Sequence, residues 1–117
     1  FQWFIKSEVG EVVIQKRSIC PISQALDLVG DKWTLLIVRD IGILGKHSFT
    51  DISASPERIP PATLTCRLEL LIREDILLKE CISGGPGRQY RYTLTKKGED
   101  LIPVLTAMQS WSKIHNG

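Results

Sequence analysis

The sequence predicts a mainly helical α+β fold: a helix-turn-helix, then a two-stranded ribbon, then a long C-terminal helix. Three observations carry this. Leu64, Leu68, Leu71 and Ile72 fall at i, i+4, i+7 and i+8, which is one apolar stripe on a helix over residues 61–74. Residues 77–83 and 88–94 have strand character and are joined by Gly84-Gly85-Pro86-Gly87, a run that suits a tight loop and cannot continue a strand. Upstream, residues 50–54 read as a short helix, and Ser55, Pro56 and Pro60 punctuate a turn. That order is a winged helix-turn-helix with a two-stranded wing, a unit that sets its second helix in a DNA groove.

Each element has a local reason. Cys20-Pro21 opens a helix over residues 20–29 with an Ile22, Ala25, Leu26 and Val29 stripe, and Gly30 ends it. Asp31 caps the next helix, over residues 32–44, where Trp33, Leu36, Ile37, Asp40 and Ile41 keep helical spacing. Trp33 reads as a core anchor and Lys32 as a solvated neighbour. Gly42, Gly45 and Lys46 lead into a loop, after which Phe49 enters the core. Pro61 suits the first turn of the second helix of the pair, where no amide partner is lost. In the second strand Tyr90, Tyr92 and Leu94 alternate with Gln89, Arg91 and Thr93, so one face packs and the other meets water. Thr95 can cap the last helix, over residues 96–114, although Pro103 must bend it or delay its true start. Leu101, Ile102, Leu105, Met108 and Trp111 give that helix a broader apolar stripe than a small domain needs.

Bulk composition bounds the function. The 117 residues are 43% hydrophobic and 24% charged, enough for one domain with a modest core. No apolar run reads as a membrane span and no signal-peptide pattern appears. Net charge is +2, but residues 58–97 hold eight Lys or Arg against four Asp or Glu, so positive charge gathers in the segment proposed to touch DNA. Cys20, Cys66 and Cys81 lack metal-type spacing and a disulfide framework, which fits a reducing cytoplasm. His47 and His115 stand apart, so no metal site is expected. No nucleophile–base set, acid dyad, phosphate loop or nucleotide fingerprint can be assembled, so neither catalytic residues nor a cofactor is expected and an enzyme is disfavoured. Residues 1–19 read as an N-terminal arm and residues 20–117 as the domain. The arm's Trp3, Phe4, Ile5, Val9, Val12, Val13 and Ile14 suggest either packing on a partner subunit or a terminal element closing the core. The chain begins at Phe1 and not Met, which reads as a processed or truncated start.

Candidate contacts follow from this layout. Pro61, Ala62, Thr63, Thr65 and Cys66 lie toward the start of the second helix, where small and hydroxyl side chains allow close approach to base edges. Arg67, Arg73, Arg88 and Arg91, with Lys46 and Ser48 at the loop, are the backbone-contact candidates. Each also has a plain reading as an ordinary solvated residue, and the stripe alone describes any amphipathic surface helix.

Cys20-Pro21, Ala25, Gly30-Asp31-Lys32-Trp33, Phe49 with Asp51-Ile52, Leu64 with Arg67-Leu68, and Tyr90-Arg91-Tyr92-Thr93-Leu94-Thr95 with Gly98 together resemble the HxlR-type regulators, winged-helix transcription factors related to the MarR group. The resemblance runs from Cys20 to Trp111. It implies double-stranded DNA and a second copy of the chain as partners, a small-molecule or oxidant effector, and a C-terminal dimerisation helix using Leu101, Leu105, Met108 and Trp111. It also implies redox or electrophile sensing by Cys20, as in some family members. Cys20 precedes a helix, and a helix N-terminus favours thiolate over thiol, with Lys16 and Arg17 close in sequence. A cysteine is otherwise often just a small apolar residue.

This sequence departs from the family pattern at four positions. Pro60 stands where a capping serine is usual, and Ile76 where a glycine usually ends the helix, so that helix must end differently. Leu70 and Ile72 are apolar where charge is common, and Leu70 points off the core stripe. These two, with the last helix, support an alternative: a winged-helix module that binds protein and not DNA. A thiol enzyme on Cys20 is a further alternative without a visible general base.

Overall fold

The structure is a computed structural model; it describes residues 16–117 and the backbone of two short strands at 4–6 and 12–14. Those strands, β1 (Phe4–Lys6) and β2 (Val12–Ile14), pair antiparallel with Phe4 opposite Ile14. The expectation of an arm on a partner subunit falls largely on residues outside the described set.

The helices α1 (Pro21–Val29), α2 (Thr34–Gly42), α3 (Phe49–Ser53) and α4 (Pro61–Arg73) come first, then β3 (Leu77–Ser83) and β4 (Gln89–Leu94), then α5 (Lys96–Glu99) and α6 (Ile102–Asn116). The fold is a winged helix-turn-helix. One core holds Ile37, Val38 and Ile41 of α2, Ile52 of α3, Leu64, Leu68 and Leu71 of α4, and Ile76, Leu77 and Tyr92 around the ribbon. Trp33, Phe49, Ile72 and Leu94 pack partly buried against it. The α4 stripe therefore enters the core as its spacing requires.

Helix ends show why the boundaries fall where they do. The Asp31 carboxylate accepts from the backbone N–H groups of Trp33 and Thr34 at 3.0 Å and from Thr34 Oγ1, so the regular helix starts two residues later than the spacing predicts. Gly30 stays right-handed, with its N–H on the Leu26 carbonyl. Pro60 precedes α4 without a side-chain cap. At the other end of α4 the left-handed residue is Asp75 (φ 61°) and not Ile76. Asp75 N–H donates to the Ile72 carbonyl at 3.1 Å and Ile76 N–H to the Leu71 carbonyl at 2.9 Å, the two bonds of a Schellman motif. Asp tolerates that conformation and Ile76 is released to the core. Thr95 and Lys97 then donate to the carbonyls of Asp75 and Glu74. Thr95 caps α5 alone by accepting from Gly98 N–H, and Pro103 sits in the first turn of a separate α6, so the proline delays the start of the last helix.

The ribbon pairs Leu77 with Leu94 and Cys81 with Tyr90, with an irregularity between Cys81 and Ser83. Gly85 and Gly87 take left-handed φ angles of 78° and 76° in the connecting loop. His47 adds one rung beyond β4: its carbonyl accepts Tyr92 N–H and its Nδ1 meets the Tyr92 carbonyl, both at 2.8 Å. Since a carbonyl only accepts, Nδ1 carries the proton. Gly42 permits α2 to lie close to β4 and α6, since a Cβ there would come within 2.5 Å of Leu94 Cδ1 and 2.8 Å of Ile102 Cδ1.

The α1 stripe and Leu70 show what the apolar spacing leaves open. On α1 the apolar residues Ile22, Ala25 and Leu26 are exposed, Ile22 by 73%, while Asp27 is buried with its carboxylate on Arg17 Nε at 2.7 Å. Leu70 is only 2% exposed, on a helix that also contacts β2, so it is not an open docking position.

Candidate nucleic-acid interface

The candidate surface begins at the N-terminal end of α4. Pro61, Ala62 and Thr65 are exposed there, and Thr63 and Cys66 are half-buried beside them. Thr65 Oγ1 donates to the Pro61 carbonyl at 3.0 Å, which leaves its lone pairs and methyl group outward. The wing is the β3–β4 ribbon with its glycine-rich loop. Arg88 and Arg91 are exposed on it, and Arg91 stands opposite Glu80 in the register. A cleft of about 470 Å³ separates the start of α3 from the wing, lined by Ser48, Phe49, Thr50, Ile82, Arg88 and Tyr90 among others. Ser48 Oγ accepts Asp51 N–H at 3.0 Å as the cap of α3, and Arg73 is exposed on the last turn of α4.

Two candidates are turned inward. Arg67 is 16% exposed, and its Nε lies 3.3 Å from the Asp31 carboxylate, so the guanidinium ties α4 to the α1–α2 corner and does not stand out as a phosphate ligand. Lys46 Nζ donates to Ser55 Oγ at 3.0 Å, and Ser55 Oγ–H donates to Asp40 Oδ2 at 2.5 Å. Both positions look solvated from sequence because their acceptors lie far along the chain.

Beneath the surface is a polar cluster that the sequence reading did not identify. Asp40 is buried, and its Oδ1 also accepts from Arg39 Nε and Nη2 at 3.0 and 2.8 Å. Arg39 continues to Glu57 through two bonds of 2.9 and 2.8 Å. The hydrogen bond to Glu57 leads in raising the Arg39 pKa above its ordinary value, and the reciprocal bond from Arg39 pulls the Glu57 carboxyl down to about 2. The available signal was Asp40 itself, a charge inside the apolar spacing of α2, since a carboxylate on a buried face requires partners.

The redox and dimer candidates divide as well. Cys20 is exposed immediately before α1, and Arg17 is paired with the buried Asp27. Cys66 is half-buried and Cys81 exposed. Among the described residues no group of three potential ligands could hold a metal ion. Leu101 and Leu105 pack against the core, whereas Met108 and Trp111 are exposed, Trp111 by 62%. An apolar groove of about 650 Å³ runs between α1 and α6, lined by Ile22, Leu26, Leu36, Val104, Leu105 and Met108 among others. No helix among the described residues is long and apolar enough to cross a membrane.

A helix-turn-helix followed by a two-stranded wing defines the class, a winged helix-turn-helix. The profile of the HxlR-like helix-turn-helix family matches residues 28–116, and the chain belongs to that family. It is 33% identical over 90 residues to an uncharacterised HTH-type transcriptional regulator of Mycobacterium tuberculosis, covering 77% of this chain and 55% of the relative, so it spans about half the length of that protein. It is 30% identical over 94 residues to the uncharacterised HTH-type transcriptional regulator YdeP of Bacillus subtilis, covering 80% of this chain and 72% of YdeP. Among solved structures, the reduced transcriptional regulator YodB of B. subtilis superposes with a TM-score of 0.66 at 28% identity, covering 84% of this chain and 95% of that one. The redox regulator HypR in its oxidised form gives 0.69 at 28% identity, covering 82% and 97%.

Proposed function

We propose that this chain is a sequence-specific DNA-binding transcriptional regulator that acts as a homodimer on an inverted repeat. The observation that carries the reading is the exposed start of α4, with its small and hydroxyl side chains, in a chain whose wing also exposes Arg88 and Arg91 and which belongs to a helix-turn-helix family. Ala62, Thr63, Thr65 and Cys66 face the base edges. Thr65, whose hydroxyl proton is engaged, reads by accepting a hydrogen bond or by methyl contact with thymine. Arg88, Arg91 and Arg73 neutralise phosphates, and Arg88 at the loop exit can reach the minor groove.

The second copy covers the α1–α6 groove. Ile22, Leu26, Val104, Met108, Trp111 and Ile114 form an exposed apolar face larger than a lone domain leaves open, and two such faces would bury one another about a two-fold axis. Cys20 immediately precedes Pro21, which lines that groove, so a covalent change at Cys20 would act on the dimer and through it on half-site spacing. HypR and YodB are described as a redox regulator and in diamide-treated and quinone-bound forms, which supports a thiol or electrophile response here. A cytoplasmic site of action follows from that role.

Selection of bound duplexes from a random DNA pool, before and after mild oxidation, tests the reading. An enriched inverted repeat, lost on oxidation and regained with reductant, is expected. A repeat bound equally in both states would remove the thiol response, and no enrichment in either state would remove the regulator.

A further inference from the structure

We propose that Asp40, which can touch no DNA, is the positioning residue that holds the reading helix and the wing at one fixed separation; the claim rests on the DNA-binding reading above. Two branches leave it. The first runs through its side chain to the turn that launches α4. Ser55 Oγ–H donates to Oδ2 at 2.5 Å, and Arg39 bridges Oδ1 to Glu57. The Ser55 carbonyl accepts Arg58 N–H at 3.0 Å, where the backbone turns left-handed (φ 58°) just before Pro60. The second runs through its backbone to the wing. The Asp40 carbonyl accepts Lys46 N–H at 2.8 Å, and Lys46 Nζ returns to Ser55. The next residue, His47, grips Tyr92 of β4 through both its carbonyl and its ring.

One residue of α2 therefore fixes where both outer elements start. Asp40 is 2% exposed and stands among Ile37 and Ile41. Replacing a buried ionic cluster with apolar side chains of similar volume is often neutral or stabilising, so the charge is not needed for core packing. A buried polar network with every group satisfied instead permits few alternative arrangements, because each alternative strands a charge. Helix and wing must match two features of one duplex at once, and their separation is the quantity such a network can hold.

The branches are separable by mutation. In Ser55→Ala, exchange at the Arg58 amide should rise and discrimination between a selected and a random duplex should fall about tenfold, while the fold-loss caused by Arg88→Ala persists. In His47→Ala, the Tyr92 amide should lose protection and Arg88→Ala should become nearly silent, within about threefold, with discrimination retained. Asp40→Asn leaves in place the backbone carbonyl that Lys46 N–H uses, so it should produce the Ser55→Ala effect in full and reach the wing only through the Ser55–Lys46 bond, with a smaller rise in Tyr92 exchange. Additive behaviour of Asp40→Asn with Arg88→Ala, at unchanged discrimination, would overturn the proposal. If Asp40→Asn does not fold, the two branch variants decide: each acting on both readouts alike would overturn it. If the wild-type chain binds no duplex, the DNA reading fails on its own and the exchange pattern still judges the network. Protection lost at Arg58 and lowered at Tyr92 in Asp40→Asn would uphold the shared anchor, and unchanged protection at either would refute it.

Discussion

Arg67 Nε lies 3.3 Å from the carboxylate of Asp31, 36 positions earlier, and both side chains are mostly buried. The pair joins α4 to the corner between α1 and α2, on a carboxylate that also caps α2. Arg67→Met should therefore cost about 2 kcal/mol of stability, within the range for losing one charged partner at a partly buried site. Duplex binding by the folded fraction should keep its salt slope. Urea denaturation and a salt titration check this; a slope lowered by about one at unchanged stability would return Arg67 to the phosphate backbone.

Asp75 holds the left-handed residue that ends α4. Asp75→Gly should raise stability by up to about 1 kcal/mol, since glycine enters that region without a Cβ penalty. Ile76→Gly restores the residue usual in the family but empties a core position, so it should cost about 3 kcal/mol or more. Denaturation midpoints of the two variants should move in opposite directions.

Glu57 gives a pH signature. Its carboxyl is lowered from 4.5 to about 2, first by the hydrogen bond from Arg39. A depressed folded-state pKa means the pair stabilises fully above about 4.5, and that contribution is lost as pH falls through about 2. Arg39, with its pKa raised, stays charged throughout. Glu57→Gln should flatten the fall in melting temperature across this window, and added salt should shrink the difference because the pair is exposed. Identical acid limbs in both proteins would contradict the assignment.

The α1–α6 face predicts a split among the four residues expected at the dimer contact. Met108→Glu or Ile22→Glu should weaken self-association about 100-fold or more while leaving the melting temperature of the monomer near its parent value. Leu105→Ala should instead lower stability by about 2 kcal/mol, since Leu105 packs on the core. Sedimentation velocity and thermal denaturation separate the two behaviours.

Much of the fold was legible because periodicity reports directly which face is apolar. Leu64, Leu68 and Leu71 entered the core, the glycine-rich loop closed the ribbon, and Pro103 delayed the last helix. Periodicity does not say what covers an apolar face. Of the α1 stripe only Val29 is buried and Ile22, Ala25 and Leu26 are open, while Leu70, off the core stripe of α4, is buried all the same. Polar partners were the least legible. Asp40 and Ser55 are 15 residues apart and His47 and Tyr92 are 45 apart, and no local pattern links them. Arg67 and Lys46 read as solvated cations for that reason, until the fold brought carboxylate and hydroxyl acceptors to them. The helix end was half legible: Ile76 excluded an ordinary glycine stop, but the shift to Asp75 required the backbone.

The central claim is tested most directly by footprinting the wild-type chain on the duplex it enriches. Protected guanine N7 positions are expected in two successive major grooves, about 10 base pairs between centres, with backbone protection beyond each. Arg88→Ala should keep the guanine protections and lose those outside them. A single protected patch, or backbone protection with every guanine N7 accessible, would contradict a dimer that reads with α4 and steadies itself with its wings.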